Sequence, residues 1–306
     1  MIGAIRKSLK KRSFIQKLDD AFLLWYVGAT RKNLGFRDRY DSPLVDWEIV
    51  ERHHADLFRT NLDEIPGIET NAAGQLLEIQ RLSEYLQRCE WPRTATANGR
   101  YYTDNGWFYE GDAVLTAAVI QHDRPTRIVE IGSGFSSAMM LDLFESKRDE
   151  RTQLTLIEPR PQRLKELLKP GDERRVEILE QDVQTVPMSR FTELASGDIL
   201  YIDSSHVFRT GGDLNYLFFD VFPRLAKGCL IHLHDIHWPF EYPYELIQQG
   251  YSWNEAYLLR AFLQYNRVFE IAIFGSHLQI RHREELLKLA PAMNAPTTSL
   301  WLRKVA

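Results

Sequence analysis

The sequence predicts an α/β fold, a doubly wound and mostly parallel sheet of seven strands preceded by a helical segment. Three observations support this fold class. Residues 1 to about 90 show helical periodicity alone, short Val-, Ile- and Leu-rich runs then alternate with helical segments, and a Gly-x-Gly turn joins the first run to a helix. Nearly continuous apolar strands are typical of a parallel sheet covered on both faces. We therefore expect a helical segment over residues 1–94 and one α/β domain over residues 95–306.

Two stretches carry the helical pattern of the N-terminal part. Residues 46–58 and 71–89 both place apolar residues at i, i+3, i+4 and i+7, which form one face of a helix. A turn-rich aromatic stretch over residues 97–112 separates them from the alternating pattern. Helices are therefore predicted before the sheet begins.

Seven apolar runs predict the strands of the sheet. They cover residues 127–132, 153–159, 175–182, 198–205, 228–235, 267–280 and 299–305. Helical segments are predicted between them, over residues 136–146, 160–169, 189–194, 211–225 and 283–290. The long final pair of strands differs from a dinucleotide-binding domain built of two equal halves.

The formal net charge is −4, which argues against a general nucleic-acid binder because phosphate binding depends on clustered Lys and Arg. Residues 1–17 are basic and contain no acid, and an apolar stretch with Trp and Tyr follows to residue 29. This segment is compatible with contact to an anionic membrane surface, or with a solvated helix packed on the main domain. No run approaches a membrane-spanning length and no signal peptide is indicated, so a cytoplasmic location is expected.

A glycine turn and strand-end acids predict a ligand site. Gly132 and Gly134 follow the first predicted strand and allow a ligand to approach the backbone. Glu130, Glu158 and Asp182 end the first three strands, and ligands of open parallel sheets bind beyond these ends. Each feature alone also suits an ordinary turn or helix cap.

The segment His232 to His237, HLHDIH, is the densest group of candidate metal ligands. It is close to the HxHxDH order of metallo-β-lactamase-type hydrolases, but it follows the fifth predicted strand instead of an early one. Strand alternation places His232 and His234 on one face, with Asp235 opposite until the strand ends. We expect His232 to be a core histidine, His237 to shape a loop or meet substrate, and His234 to belong to a site with Asp203 and His206.

The ordered motifs VEIGSGFSS, LIEP, EQDVQ, DILYIDSSH, HLHDI and SLWLRKV resemble a class I S-adenosylmethionine-dependent methyltransferase of methyltransferase domain family 24. The resemblance spans about residues 95–306 and implies a Rossmann-like sheet and S-adenosylmethionine as cofactor. It implies that Glu130, Gly132 and Gly134 contact the methionine part of the cofactor. Ser136 takes the third small position of the glycine pattern. By the same resemblance Glu158 holds the ribose hydroxyls and Asp182 lies beside the adenine.

The segment from Asp203 to Asp235 also resembles metal-dependent O-methyltransferases, which hold Mg²⁺ with carboxylates after two neighbouring strands. Here His234 and Asp235 replace the acidic pair of that family, so the ligands that correspond to the family's carboxylates are Asp203, His234 and Asp235. Because imidazole suits Mn²⁺ or Fe²⁺ better than Mg²⁺, the sequence leaves two hypotheses open. Either a divalent metal (Mg²⁺, Mn²⁺ or Fe²⁺) is bound, or none is and His234 or His206 acts as a base.

The sequence therefore predicts methyl transfer to an oxygen of a small molecule or glycan, with Asp203, His206 and His234 as catalytic residues. The alternative is an NAD-dependent oxidoreductase, since a carboxylate after the second strand is also the device that binds the ribose of NAD. A metallohydrolase is the weaker alternative. We expect no nucleic-acid partner.

Overall fold

The computed structural model describes residues 45–87 and 91–306 of the protein. The predicted membrane contact of residues 1–29 lies outside these residues and stays a prediction. Contacts divide the described chain into two compact units. One comprises residues 60–241 with 253–306, and the other contains residues 45–59 with 242–252. The sequence boundary at residue 94 is not tested by this division and also stays a prediction.

The larger unit contains the predicted sheet of seven strands. These are β1 (Arg127–Ile131), β2 (Gln153–Ile157), β3 (Val176–Leu179), β4 (Ile199–Ile202), β5 (Leu230–Leu233), β6 (Phe269–Phe274) and β7 (Leu300–Lys304). Their spatial order is β3-β2-β1-β4-β5-β7-β6. β1 to β5 are mutually parallel where they pair, while β7 runs antiparallel to both β5 and β6. The fold class predicted from the sequence is therefore confirmed.

The helices were only partly predicted. In chain order they are α1 (Trp47–Arg52), α2 (His54–Leu57), α3 (Ala72–Leu86), α4 (Glu110–Asp123), α5 (Phe135–Lys147), α6 (Gln162–Leu167), α7 (Ser189–Thr192), α8 (Asp213–Tyr216), α9 (Tyr244–Gln248), α10 (Glu255–Leu263), α11 (Gly275–Arg281) and α12 (Arg283–Leu289). α8 continues as a π-helical turn and a short 3₁₀ turn up to Arg224. α4 was not predicted because residues 111–120 are all buried, which leaves no polar face to produce helical periodicity.

The predicted strand over residues 267–280 is wrong in its second half. β6 ends at Phe274 and residues 275–281 form α11 instead. Gly275 to Leu278 are all buried, so the apolar run continues from strand into helix. A continuous apolar run cannot distinguish a buried strand from a buried helix, which is why the sequence pattern failed here.

Helices and sheet share one large apolar cluster. It joins buried side chains of α3, α4 and α5 to those of β1 and β2, with Trp301 of β7. Within the described residues no helix is both long and apolar enough to span a bilayer. The cluster fixes the strands, and the loops that follow their carboxyl ends are thereby held beside one another.

Candidate active site

The ends of three central strands meet at one edge of the sheet. The backbone ladder continues one residue beyond each strand. Gly132 donates its N–H to Ile157 O at 3.0 Å, Asp203 donates to Ile131 O at 2.9 Å, and His234 donates to Ile202 O at 3.0 Å. The strand order β1-β4-β5 therefore brings the glycine turn, Asp203 and His234 side by side, as expected for the binding edge of an open α/β sheet.

Gly132 is required by the geometry of the turn. Its φ is +85°, a conformation that favours glycine, and a Cβ there would lie 1.7 Å from the carbonyl oxygen of Asp203. Gly134 is different because a Cβ there would meet only the Arg163 side chain, at 3.5 Å, among the described atoms within 4 Å. The turn thus packs tightly on β4 at Gly132 and leaves space for a ligand at Gly134.

Glu130 lies wholly inside the protein at the end of β1. Its two carboxylate oxygens accept hydrogen bonds from the hydroxyls of Ser136 and Ser137 in the first turn of α5. Burial raises the pKa of Glu130 to about 8, although both serine hydroxyls act in the opposite direction. In this structure the hydrogen bond between the side chains of Glu130 and Ser136 stabilises the glycine turn. Their predicted contact with the methionine part stays a prediction.

Glu158 and Asp182, the other two acids predicted to bind the cofactor, differ in their exposure. Glu158 is half-buried at the turn, where its carboxylate accepts from Ser133 N at 3.3 Å and Arg160 N at 2.7 Å. Asp182 is exposed in the loop after β3. Among the described residues the Ser133 hydroxyl is buried without a hydrogen-bond partner. An unpartnered hydroxyl, a nearby carboxylate and a turn covered at Gly134 by the flexible Arg163 side chain suit the polar ribose and amino-acid parts of S-adenosylmethionine.

Four side chains beyond β4 and β5 form what we call the His/Asp cluster, namely Asp203, His206, His234 and Asp235. Asp203 Oδ1 lies 3.4 Å from both His206 Nε2 and His234 Nδ1. Asp235 Oδ1 lies 3.6 Å from His234 Nδ1, and its Oδ2 lies 3.9 Å from His206 Nε2. Each imidazole thus presents one ring nitrogen to the same two carboxylates.

Backbone conformation turns two members of the cluster inward. β5 ends at Leu233, so the strand alternation no longer applies at Asp235, whose φ is +55°. His206 has a φ of +56°. Asp and His are among the residues that tolerate this left-handed region. The sequence placed these residues at one edge, but it could not predict these local turns.

Two fully buried carboxylates lie beside the ring nitrogens of His206 and His234 that point away from the cluster. Glu255, at the start of α10, lies 2.8 Å from His206 Nδ1. Asp112 Oδ2 of α4 lies 3.6 Å from His234 Nε2, an ion-pair distance. Asp112 also accepts hydrogen bonds from Thr298 N and Ser299 N, each at 2.9 Å, which ties the start of β7 to α4. The hydrogen bond to Glu255 orients the His206 ring and directs its Nε2 into the cluster. Among the described residues neither ring nitrogen of His234 makes a hydrogen bond, so Asp112 acts on His234 through charge.

Charge within the cluster is strongly coupled. Burial disfavours a charged imidazole, but Asp203 and Glu255 outweigh it and raise the pKa of His206 to about 10. The pKa of His234 is raised well above its usual value because Asp235, Asp203 and Asp112 likewise outweigh burial. Against burial, the imidazoles hold the pKa of Asp235 at about 2 and that of Asp203 well below its usual range. The carboxylates therefore favour the protonated form of both imidazoles in this arrangement.

The donor set does not fit Mg²⁺. Mg²⁺ takes near-ideal octahedral oxygen ligation, whereas half of the cluster's side chains are imidazoles. In the part of the chain that the structure describes, no group of three or more His, Cys, Asp or Glu side chains is arranged to hold a metal ion. The ligand assignment to Asp203, His234 and Asp235 stays a prediction.

The other histidines of HLHDIH lie outside the cluster. His232 is completely buried, its Nε2 lies 2.9 Å from Ser299 Oγ, and its ring stacks on Tyr201 at 3.7 Å. Burial lowers its pKa to about 3, so it stays neutral. The prediction that His232 is a core histidine is confirmed. His237 lies half-buried in the loop after β5.

Sequence reasoning did not find the roles of Asp112 and Glu255. Asp112 ends the turn-rich aromatic stretch of the sequence, close to Tyr109 and Glu110, which are both exposed. Glu255 stands in the first turn of a helix, where an acid is ordinary because it complements the helix dipole. No local pattern indicated that either carboxylate contacts a histidine distant in sequence.

Comparison with known proteins agrees with this geometry. The sequence model of a family described as a methyltransferase domain, Methyltransf_24, matches residues 129–236, which include the glycine turn and the His/Asp cluster. An uncharacterised protein of Archaeoglobus fulgidus is 36% identical over 158 residues, covering 50% of this chain and 70% of the relative. The residues that the family model matches contain the sheet edge described above.

Two solved methyltransferase structures are also similar at low identity. A Podospora anserina methyltransferase with S-adenosylhomocysteine bound is 16% identical, covering 86% of this chain and 97% of its own, with a TM-score of 0.42. The O-methyltransferase TomG from Streptomyces achromogenes, in complex with S-adenosylmethionine, is 12% identical, covering 85% and 97%, with a TM-score of 0.38. From the family match and the sheet edge, we conclude that the chain belongs to the class I S-adenosylmethionine-dependent methyltransferases.

Proposed function

We propose that the protein transfers a methyl group from S-adenosylmethionine to a hydroxyl oxygen of a small molecule or glycan, and that His234 accepts the hydroxyl proton. One observation carries the proposal. A ring nitrogen of His234 faces Asp203 at 3.4 Å, immediately beside the glycine turn of the cofactor edge. An acceptor placed there would lie within reach of both a proton acceptor and the methyl donor.

When bound, S-adenosylmethionine supplies an electrophilic methyl group on a sulfonium. The protein's part is to orient the acceptor oxygen and take its proton at His234 Nδ1. Asp203 and Asp235 stabilise the imidazolium that results, and Asp112 holds Nε2 on the other side. His206, with Glu255 behind it, is the second candidate for this proton.

The charge of the cluster predicts how activity depends on pH. The carboxylates that raise the pKa of His234 make its neutral form a stronger base, but they also disfavour that form. Methyl transfer should therefore become faster as the pH rises above neutrality. A rate independent of pH would favour a role for the imidazolium as a hydrogen-bond donor to the acceptor oxygen.

His234→Ala tests the proposal. We expect the variant to lose methyl transfer while it still binds S-adenosylhomocysteine with the wild-type affinity, because His234 lies beyond the glycine turn. Transfer is followed with radiolabelled S-adenosylmethionine against a set of hydroxylated small molecules and glycans. His122→Ala, which changes a half-buried histidine at the end of α4, is the matched control and should leave transfer unchanged. Full turnover by His234→Ala would contradict the proposal.

The acceptor class, the location and the metal remain proposals. The net charge of −4 supports a small-molecule or glycan acceptor over nucleic acid. Metal analysis of the purified protein, before and after chelation, measures directly whether Mg²⁺, Mn²⁺ or Fe²⁺ accompanies Asp203, His234 and Asp235.

A further inference from the structure

We infer that Arg163 binds the carboxylate of the cofactor's methionine part, and that Trp107 holds the arginine in place for this task. The inference rests on S-adenosylmethionine lying at the glycine turn, as the family membership implies. It adds a charged contact that the glycine and acid motifs do not contain. The evidence comes from two exposed side chains that meet across the turn.

The Arg163 side chain crosses the open side of the turn. Its Cδ lies 3.5 Å from where a Gly134 Cβ would stand, and its guanidinium carbon lies 3.5 Å from the centre of the Trp107 ring. A ligand seated over Gly134 therefore lies beside the arginine stem and close to its charge. The guanidinium is planar and binds a carboxylate with two parallel hydrogen bonds, which lysine cannot do.

Among the described residues the Arg163 guanidinium has no carboxylate partner. Arg163 is exposed, and in the described part of the chain no acidic side chain lies within ion-pair distance of it. By contrast, the buried Arg100 pairs with three acids, Asp142, Glu145 and Asp172. An unpaired cation beside the start of α5, whose free N–H groups also favour a negative group, suits an anionic part of a ligand.

Trp107 and its neighbour Phe108 differ sharply in exposure. Trp107 is 57% exposed, yet Phe108 is buried and contacts the His234 ring at 5.4 Å between centroids. Asn105 fixes this arrangement because its Oδ1 accepts from Trp107 N at 2.7 Å and from Phe108 N at 2.8 Å. The loop therefore presents Trp107 outward as a platform for Arg163 and Phe108 inward against the His/Asp cluster.

Calorimetric titration with two ligands tests the inference. S-adenosylhomocysteine contains the methionine carboxylate, whereas 5′-methylthioadenosine keeps the nucleoside and the sulfur but lacks the amino-acid part. For Arg163→Met, we expect the Kd of S-adenosylhomocysteine to rise at least about tenfold, the scale of one lost charge-assisted contact. The Kd of 5′-methylthioadenosine should change less than about twofold. Trp107→Leu should raise the first Kd about threefold through the lost cation–π contact.

Arg151→Met is the control, since Arg151 is an exposed arginine that precedes β2, at the opposite end of that strand from Glu158. It should leave both affinities unchanged. Equal weakening of both ligands by Arg163→Met, or no weakening of S-adenosylhomocysteine, would overturn the inference. Wild-type protein that binds neither ligand would instead overturn the cofactor assignment, so the two failures are distinguishable.

Discussion

His206 and Glu255 show how much of the site depends on individual buried charges. The pKa of His206 is raised to about 10 from an ordinary value of 6.5, with Glu255 and Asp203 as the attractive partners. A raised pKa in the folded state contributes stability that is fully present below about pH 6.5 and is lost as the pH rises through about 10. The free energy of unfolding should therefore contain a component that decreases over this window.

Glu255→Gln should reduce this component. The amide still accepts a hydrogen bond from His206 Nδ1, but it removes the charge that favours the imidazolium. We expect the variant to be less stable than wild type at pH 6, with the two unfolding free energies converging near pH 10. Urea unfolding at several pH values measures this difference. A stability difference that does not change with pH would show that Glu255 acts by packing instead of charge.

At the scale of residues, the sequence predicted the four members of the His/Asp cluster but not the two carboxylates behind them. Asp203, His206, His234 and Asp235 each follow a strand end, and parallel strands place such residues at one edge. Asp112 and Glu255 act through contacts between residues more than 40 positions apart. Such contacts depend on how helices pack on the sheet, and a single sequence contains no periodic signal for them.

At the scale of elements, the connection between β1 and α5 fixes the cofactor edge. Gly132→Ala should strongly destabilise the turn, because its Cβ would overlap the carbonyl of Asp203 and its φ is +85°. Gly211→Ala is the matched control, with a φ of +71° and no described atom within 4 Å of the new Cβ. We expect the control to cost only about 1 kcal/mol through backbone strain.

Urea unfolding together with titration of S-adenosylhomocysteine distinguishes the two glycine variants. Gly132→Ala should lose several kcal/mol of stability, or fail to fold, since a backbone carbonyl cannot move as a flexible side chain can. Any folded fraction should bind the ligand poorly, whereas Gly211→Ala should bind it as wild type does. Similar behaviour of both variants would contradict the close packing of β1 on β4.

Elements also show where sequence patterns fail for physical reasons. The parallel strands were predicted because each is an apolar run of ordinary strand length bounded by turns. α4 and α11 were missed because they are buried on nearly all sides at residues 111–120 and 275–278, so neither shows an amphipathic stripe. A helix that is buried on all sides keeps its apolar composition but loses the amphipathic periodicity from which a helix is predicted.

At the scale of the whole molecule, the arrangement of β5, β7 and β6 separates the family from a dinucleotide-binding fold. β7 lies antiparallel between β5 and β6, and Asp112 of α4, beside His234, accepts a hydrogen bond from Ser299 N immediately before β7. The sequence predicted the final strand pair, but it could not predict that β7 inserts into the sheet. The His/Asp cluster thus rests on elements from both ends of the α/β domain.

The central claim is that this sheet edge binds S-adenosylmethionine, and calorimetric titration with S-adenosylhomocysteine and with NAD tests it most directly. We expect a saturable heat of binding with S-adenosylhomocysteine and no heat of binding with NAD. We also expect that Glu158→Ala weakens S-adenosylhomocysteine about tenfold or more, since a charged hydrogen bond to the ribose is lost. Binding of NAD without binding of S-adenosylhomocysteine would contradict the account.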